Sequence, residues 1–148
     1  MTRYLVTSAL PYANGPIHFG HVAGAYLPAD IYARWLRMKG EEVLHVCGTD
    51  EHGVAITLRA DQEGKSYRDY VDHWHDEISA FFELFRISFD AWSGTARCGV
   101  HAETSQKFFS TLLEKGFVRE RTASQWYSES LDRFLPDRYL QGGCPECS

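Results

Sequence analysis

The stretch that decides the fold is residues 3–21, which read RYLVTSALPYANGPIHFGH. It begins with an apolar, β-branched segment from Arg3 to Ser8, passes through a loop that contains two prolines, Asn14 and Gly15, and becomes helical in pattern from Gly20. A buried strand that ends in a loop and leads into a helix is the expected structure. The loop would then lie at the carboxyl end of the first strand, where open α/β sheets bind ligands.

The helix after this loop is followed by a second strand. Apolar side chains recur on one helical face as far as Leu36, and Lys39 and Gly40 supply a basic last turn and a terminating glycine. Pro28 interrupts the pattern because it lacks a backbone donor, so we expect a kinked helix or two helices. The run 43–47 reads as a strand and 48–53 as the polar loop at its carboxyl end. This order predicts a βαβ unit.

The remainder of the first 116 residues continues the alternation of helix and strand. We expect a short helix over 54–63 that ends at Gly64, a longer one opened by a capping sequence at Ser66, a strand over 87–92, and a helix over 101–115 that ends at Gly116. The predicted buried side chains of the long helix are Tyr67, Val71, Trp74, Ile78, Phe81, Phe82 and Phe85, and those of the last helix are Phe108, Phe109, Leu112 and Leu113.

An α/β fold built on a parallel sheet is therefore predicted for residues 1–116. Residues 117–121, 125–127 and 138–140 are short candidate strands separated by polar turns. They predict that residues 117–148 begin a small β subdomain inserted into the larger fold.

Composition narrows the class of protein. The chain has 148 residues, of which 44% are hydrophobic and 24% charged, as in soluble globular proteins. Its apolar runs are all shorter than the roughly 18 residues that a membrane span needs, and the N-terminal one is too short for a secretion signal, so a cytoplasmic protein with no membrane partner is expected. The net charge of −5 argues against this segment gripping a nucleic-acid backbone by itself, so contact with RNA must be local or lie elsewhere.

His18 and His21 are three residues apart at the first helical turn, with Gly20 between them. This spacing puts both imidazoles on one side of a helix N-terminus, which favours phosphate groups through its free N–H groups and dipole. Two such donors suit attack on an α-phosphate with pyrophosphate leaving, where the protein stabilises charge on the oxygens. An isolated pair of this kind is more often a surface accident or a partial metal site.

The surrounding sequence favours the first interpretation, since residues 9–21 resemble the signature of class I aminoacyl-tRNA synthetases, with Phe19 where isoleucine or leucine is usual. Branched-chain members share the Pro-Tyr-x-x-Gly element, so the signature leaves the amino acid open. The segment 48–53, GTDEHG, resembles the methionine members, whereas isoleucine and valine members usually have tryptophan in place of Thr49. Residues 134–139, FLPDRY, are also similar to the methionine members, and the resemblance covers nearly the whole chain.

The resemblance implies an incomplete Rossmann-like nucleotide-binding fold and an enzyme that uses ATP, with Mg²⁺, to activate methionine and transfer it to tRNA. It implies catalytic roles for His18 and His21, an ATP site of Asn14, Gly15, His18, Gly20 and His21, and an amino-acid site of Ala9, Leu10, Tyr12, Asp50 and His52. A carboxylate suits the substrate's ammonium group, and apolar walls suit a thioether. Without the signature, a loop or helix-cap role would be the commoner reading of Asp50.

Cys144 and Cys147 have the C-x2-C spacing of a zinc knuckle, and a tetrahedral zinc site needs two further ligands. We therefore expect half of a structural zinc site; the alternative is two ordinary thiols. The family's lysine-rich second signature and its anticodon-binding helical domain are not found in these 148 residues, so we expect no appreciable methionyl-adenylate formation by this chain alone.

Two other functions remain open at this stage. Another class I synthetase, of the isoleucine, leucine or valine type, or a related nucleotidyltransferase, would share the phosphate site but not the amino-acid pocket. A non-catalytic module would use the α/β unit as a scaffold and the cysteine pair as a zinc ribbon for a partner.

Overall fold

The computed structural model describes residues 2–130 and 132–135 of the chain. The chain divides into two compact units, the first ending at Lys107 and the second beginning at Phe108. Across the described ranges, no helix is both long and apolar enough to cross a membrane. The sequence-based boundary after Gly116 stays a prediction.

Helices and strands alternate along the first unit and into the start of the second. The elements are β1 (Arg3–Thr7), α1 (Phe19–His21), a π-helical turn (Val22–Tyr26), α2 (Leu27–Met38), β2 (Glu42–Thr49), α3 (Val54–Gln62), α4 (Tyr67–Leu84), β3 (Ala91–Gly94) and α5 (Gly99–Glu114). In the second unit, β4 (Tyr127–Ser128) and β5 (Arg133–Phe134) pair antiparallel.

The strands β1, β2 and β3 form one parallel sheet, in the order β1-β2-β3. Leu5 pairs with Leu44 between β1 and β2, and Cys47 pairs with Trp92 between β2 and β3. The predicted α/β fold with a parallel sheet is confirmed. Because the strands are parallel, the loops that follow all three leave from one edge of the sheet.

Two apolar clusters hold this sheet and its helices together. The first joins β2 to the π-helical turn, α4 and the segment after it, and consists of Val22, Tyr26, Cys47, Ile78, Phe82 and Ile87. The second joins the loop after β1 to α3 and α4, and consists of Ala13, Ile56, Ala60, Tyr70 and Val71. Burial of each large side chain contributes about 1.5–3 kcal/mol, so the second cluster fixes that loop to the helices beneath it.

The helix around Pro28 continues through a change of hydrogen-bond pattern. The N–H of Leu27 donates to the carbonyl of Val22, five residues earlier, and Pro28 occupies the first turn of α2. A π turn changes the spacing between the proline ring and the carbonyls of the preceding turn, and the first turn of a helix tolerates the missing donor. The predicted interruption is present, and it takes the form of a π turn that joins two α-helical segments.

The long helix α4 buries most of the predicted face: Val71, Ile78 and Phe82 are buried, Tyr67, Trp74 and Phe81 pack partly buried against the clusters, and Phe85 is exposed. Tyr70 and His75 are buried in addition. The apolar pattern missed His75 because a polar residue counts against burial when its hydrogen-bond partners are unknown. Ser66 does cap the helix, as predicted, since its side chain accepts a hydrogen bond from the N–H of Asp69 at 3.1 Å.

Two other expectations, for the third strand and for the last helix, need correction. The third strand begins at Ala91 because Asp90 turns the chain: its carboxylate accepts from the N–H of His45 at 2.7 Å, and its own N–H donates to the carbonyl of His45. The four residues predicted to face inward from α5, namely Phe108, Phe109, Leu112 and Leu113, are 40–69% exposed. Periodicity identifies an apolar helix face but does not show that another element covers it.

In the second unit, residues 117–121 form no strand, and the predicted strand at 125–127 is the pair Tyr127–Ser128. The predicted strand at 138–140 and the cysteine pair lie outside the described residues.

A substitution at Gly48 tests how closely β2 and β3 approach each other. A methyl group added there would lie 2.6 Å from the carbonyl oxygen of Ser93. We expect Gly48→Ala to lower the free energy of unfolding by about 1–3 kcal/mol, the usual cost of overpacking. Gly24→Ala is the control, because nothing lies within 4 Å of its added methyl group; it should be neutral or stabilise by up to about 1 kcal/mol. Urea unfolding measures both, and equal effects would contradict the close approach.

Candidate active site

The loop after β1 is attached to the end of β2 through its backbone. The N–H of Asp50 donates to the carbonyl of Pro11, and the N–H of Ala13 donates to the carbonyl of Asp50, each at 2.8 Å. Tyr12 and Asp50 thus form a single parallel bridge beyond the ends of the two strands. Two motifs that are distant in sequence, the signature loop and the GTDEHG segment, therefore meet at one edge of the sheet.

Side chains fix the same loop from below and from the side. Ala13 is fully buried, and the hydroxyl of Tyr70 donates to the carbonyl of Asn14 at 3.1 Å. A side chain at Gly53 would collide with the hydroxyl of Tyr12, and Gly53 also has a φ of +132°, which favours glycine. The loop is therefore held in one conformation by the helices and by the end of β2.

The two signature histidines stack on each other at the start of the helix. Their ring centroids are 3.8 Å apart with an interplanar angle of 24°, and both residues are exposed. The N–H of His18 donates to Nδ1 of His21 at 3.1 Å, so a neutral His21 carries its proton on Nε2. A methyl group on Gly20 would lie 3.0 Å from the His18 ring, so glycine at this position makes room for the imidazole. Two exposed polar rings thus lie side by side at the start of the helix.

Of the residues predicted for the amino acid, Tyr12 and Asp50 form the bridge itself. Asp50 and Tyr12 are partly buried, whereas Ala9, Leu10 and His52 are exposed. The hydroxyl of Tyr67 donates to the carbonyl of Glu51 and lies 3.3 Å from Nδ1 of His52.

Burial, together with the negative charge of Glu51, raises the pKa of the Tyr67 hydroxyl, which therefore stays a hydrogen-bond donor at neutral pH.

A cavity of about 170 Å³ opens at the carboxyl ends of β2 and β3. Its lining includes Leu10, Cys47, Thr49, Gly94, Cys98 and His101. Of the residues predicted for the amino-acid site, Leu10 belongs to this lining, while Tyr12 and Asp50 lie outside it.

A buried charged network lies behind the loop that carries Asp50. The side chain of Glu51 is inaccessible to solvent and accepts hydrogen bonds from the Thr49 hydroxyl at 2.8 Å, the Ala96 N–H at 2.9 Å and Nε of Arg97 at 2.7 Å. Arg97 also pairs with Asp72 at 2.9 Å. Burial alone raises the pKa of the Glu51 carboxyl, but the hydrogen bonds from Arg97, Thr49 and Ala96 outweigh it and hold this pKa below its usual range.

His75 extends the network with one defined tautomer. Its Nδ1 lies 2.7 Å from the Thr49 hydroxyl, whose only proton is donated to Glu51, so Nδ1 must carry a proton and donate it to Thr49. Burial and the nearby Arg97 lower the pKa of His75, which favours the neutral ring at pH 7. The order of donation runs from His75 through Thr49 to Glu51.

Sequence reasoning missed this network. Thr49 and Glu51 are two apart after a strand, a spacing that places them on one side of the chain, but a Thr-x-Glu pair alone is not informative. The partners His75 and Arg97 come from α4 and from the segment after β3, and no motif singles them out.

Metal binding stays a prediction. Among the residues that the structure describes, no group of three or more His, Cys, Asp or Glu side chains is arranged to hold a metal ion. Cys144 and Cys147 lie outside that part of the chain.

Comparison with known proteins gives consistent matches. The sequence model of the family described as tRNA synthetases class I (M) matches residues 4–148. The methionine–tRNA ligase of Rubrobacter xylanophilus is 57% identical over 145 residues, which is 98% of this chain and 25% of that protein. The methionine–tRNA ligase of Thermococcus kodakarensis is 57% identical over 147 residues, 99% of this chain and 20% of that protein.

Among solved structures, the Mycobacterium tuberculosis methionyl-tRNA synthetase in complex with methionyl-adenylate matches with a TM-score of 0.81 at 30% identity. The match covers 95% of this chain and 27% of that one. The chain thus spans about a quarter or less of the length of the curated relatives cited above.

The buried carboxylate predicts acid sensitivity. The folded pKa of Glu51 is lowered, so the unfolded chain, with a glutamate pKa of about 4.3, takes up the proton first as the pH falls. The stabilisation is complete above that pH and is lost as the pH falls through the folded pKa. Urea unfolding between about pH 7 and pH 3 should show a declining free energy of unfolding, with a shallower decline for Glu51→Gln.

A slope that Glu51→Gln leaves unchanged would contradict this assignment. Asp30 also has a lowered pKa and contributes in the same direction, so part of the slope should remain in the variant.

Proposed function

The chain belongs to the class I tRNA synthetase (M) family, and on that premise we propose that it forms part of a methionine–tRNA ligase. Such an enzyme uses ATP to convert methionine into methionyl-adenylate and then transfers the methionyl group to tRNA. The observation that carries the proposal is the backbone bridge between Tyr12 and Asp50, because it brings the phosphate signature and a carboxylate to the same edge of the sheet.

The chemistry follows from the groups at that edge. A carboxylate oxygen of methionine attacks the α-phosphorus of ATP, a phosphorus–oxygen bond forms, and the bond to the leaving pyrophosphate breaks. Negative charge on the phosphate oxygens is stabilised by hydrogen bonds from His18 and His21, whose stacked rings are exposed at the helix start. Asn14, Gly15 and Gly20 shape the ATP side of the site, and Mg²⁺ accompanies ATP as its counter-ion.

The amino acid is held on the other side of the bridge. The partly buried Asp50 binds the ammonium group of methionine, since a charge-assisted hydrogen bond is about twice as strong as a neutral one. Ala9, Leu10 and Tyr12 provide apolar contacts for the thioether, and His52 lies beside them. The matched Mycobacterium tuberculosis protein is in complex with methionyl-adenylate, which supports the proposed adenylate chemistry.

The remaining parts of the proposal concern the rest of the protein. The net charge of −5 favours a tRNA contact made largely by other regions, because phosphate recognition needs clustered basic residues. We further propose a cytoplasmic location, an inserted subdomain that begins after Gly116, and a structural zinc ion bound in part by Cys144 and Cys147.

Replacement of either signature histidine tests the phosphate role. In the full-length protein that carries these residues, His18→Ala or His21→Ala should lower kcat for methionine-dependent ATP–pyrophosphate exchange by about 10²-fold, because each removes a donor that acts in the transition state. The methionine dissociation constant, measured by calorimetry, should stay nearly the same. His73→Ala removes an exposed histidine on α4 and should leave both values unchanged. Equal losses of methionine affinity and of rate would count against the assignment.

Replacement of Asp50 should have the opposite effect. Asp50→Asn removes the charge that pairs with the ammonium group, a contribution of about 1.5–3 kcal/mol, so methionine affinity should fall at least tenfold while ATP affinity is retained. Asp76→Asn, an exposed aspartate on α4, is the matched control. Unchanged methionine binding by Asp50→Asn would remove the carboxylate from the amino-acid site.

A further inference from the structure

The peptide N–H and carbonyl groups of Asp50 and Glu51 all form hydrogen bonds with other parts of the chain. The N–H and carbonyl of Asp50 bond to Pro11 and Ala13, the N–H of Glu51 donates to the Thr95 hydroxyl at 2.8 Å, and the carbonyl of Glu51 accepts from Tyr67. These partners belong to three separate segments: the signature loop, the segment after β3 and helix α4. The backbone at the proposed ammonium site is thus fixed before any ligand binds.

We propose that Glu51 is the positioning residue for the carboxylate of Asp50. The inference deepens the proposed function and rests on it, since it takes Asp50 as the ammonium ligand. Glu51 itself does not contact the substrate; its buried carboxylate determines the direction in which its neighbour projects.

Strand geometry supplies the first step. Successive side chains of an extended chain point to opposite sides. Thr49 and Glu51 are both fully buried and bonded to each other at 2.8 Å, whereas Asp50 between them is only partly buried. As long as the pair stays buried, Asp50 must project to the other side, next to the Tyr12 bridge.

The second step is that the burial of Glu51 is specified by charge and shape. A carboxylate without solvent is costly unless it is fully paired, and here an arginine, a hydroxyl and a peptide N–H satisfy it. A side chain at Gly94 would collide with this carboxylate, so the backbone of β3 packs directly against it. An apolar residue could fill the same volume, but it could not accept the hydrogen bonds that Thr49, Ala96 and Arg97 donate to the Glu51 carboxylate.

The same fold offers a matched control. The Asp30 side chain is 5% exposed and accepts from Nε of Arg34 at 2.6 Å and from the N–H and hydroxyl of Ser88 at 3.0 and 3.3 Å. Like Glu51, it is a buried carboxylate satisfied by an arginine, a hydroxyl and a peptide N–H. Its partners lie on α2 and in the segment between α4 and β3, away from the loop that carries Asp50.

The experiment compares Glu51→Gln with Asp30→Asn in the full-length protein. A glutamine amide nitrogen cannot accept the bonds that one carboxylate oxygen accepts, so the loop should shift. A misplacement of about 1 Å at a site can lower the reaction rate as much as 10²-fold. For this variant we expect the dissociation constant of methionine to rise about tenfold or more, while the dissociation constant of ATP stays the same. In pyrophosphate exchange, the KM for methionine should rise more than kcat falls. Asp30→Asn should lower Tm but leave methionine affinity unchanged.

Equal methionine affinities of the two variants would overturn the proposal, because Glu51 would then serve stability alone. If Glu51→Gln does not fold, the comparison moves to Thr49→Val and Thr49→Ser. Valine keeps the shape without the hydroxyl and should weaken methionine binding, while serine restores the hydroxyl and the affinity. Equal affinities of those two variants would overturn the proposal in the same way.

A measurement without ligand separates this inference from the proposed function. Hydrogen exchange of the Asp50 amide, which is bonded to Pro11, should accelerate in Glu51→Gln but not in Asp30→Asn. Unchanged exchange refutes the positioning role whatever the protein binds. A wild-type protein that does not bind methionine would instead refute the proposed function.

Discussion

Two peptide hydrogen bonds, from Asp50 to Pro11 and from Ala13 to Asp50, determine where every other group at the site can lie. They extend the pairing of β1 and β2 past the ends of the strands and join the proposed phosphate side of the site to the proposed amino-acid side. A displacement reaction needs its two reactants in line and nearly in contact. Backbone bonds between adjacent strands meet this need better than flexible side chains, because the spacing of neighbouring strands is nearly invariant. The stacked histidines and the buried Glu51 network both lie at the end of the sheet that these two hydrogen bonds hold in place.

Much of the candidate site could be predicted from sequence because it consists of short, contiguous motifs. The spacing of His18 and His21 places their rings together, and the position of Asp50 after a strand places it at the same edge. The groups behind the site could not be found in this way. Arg97 reaches Glu51 only because β3 lies beside β2, and that order of strands is a property of the whole sheet.

The fold shows the same division between local and long-range information. The βαβ unit, the cap at Ser66 and the terminating glycines depend on neighbouring residues and were predicted from them. The strand expected at 87–92 begins later, since Asp90 bonds to the backbone of His45 on another strand. His75 is absent from the predicted buried face for a related reason: a polar residue can be buried when a distant partner, here Thr49, accepts a hydrogen bond from it.

Because the loop is attached through main-chain atoms, its position does not depend on the side chain at residue 50. Both hydrogen bonds at position 50 are made by the peptide groups, and neither involves the carboxylate. A different side chain at this position would leave these hydrogen bonds in place while it changed the chemical group at the proposed amino-acid site. Evolution could therefore substitute the side chain at this position without the loss of stability that usually accompanies a substitution in a rigid site.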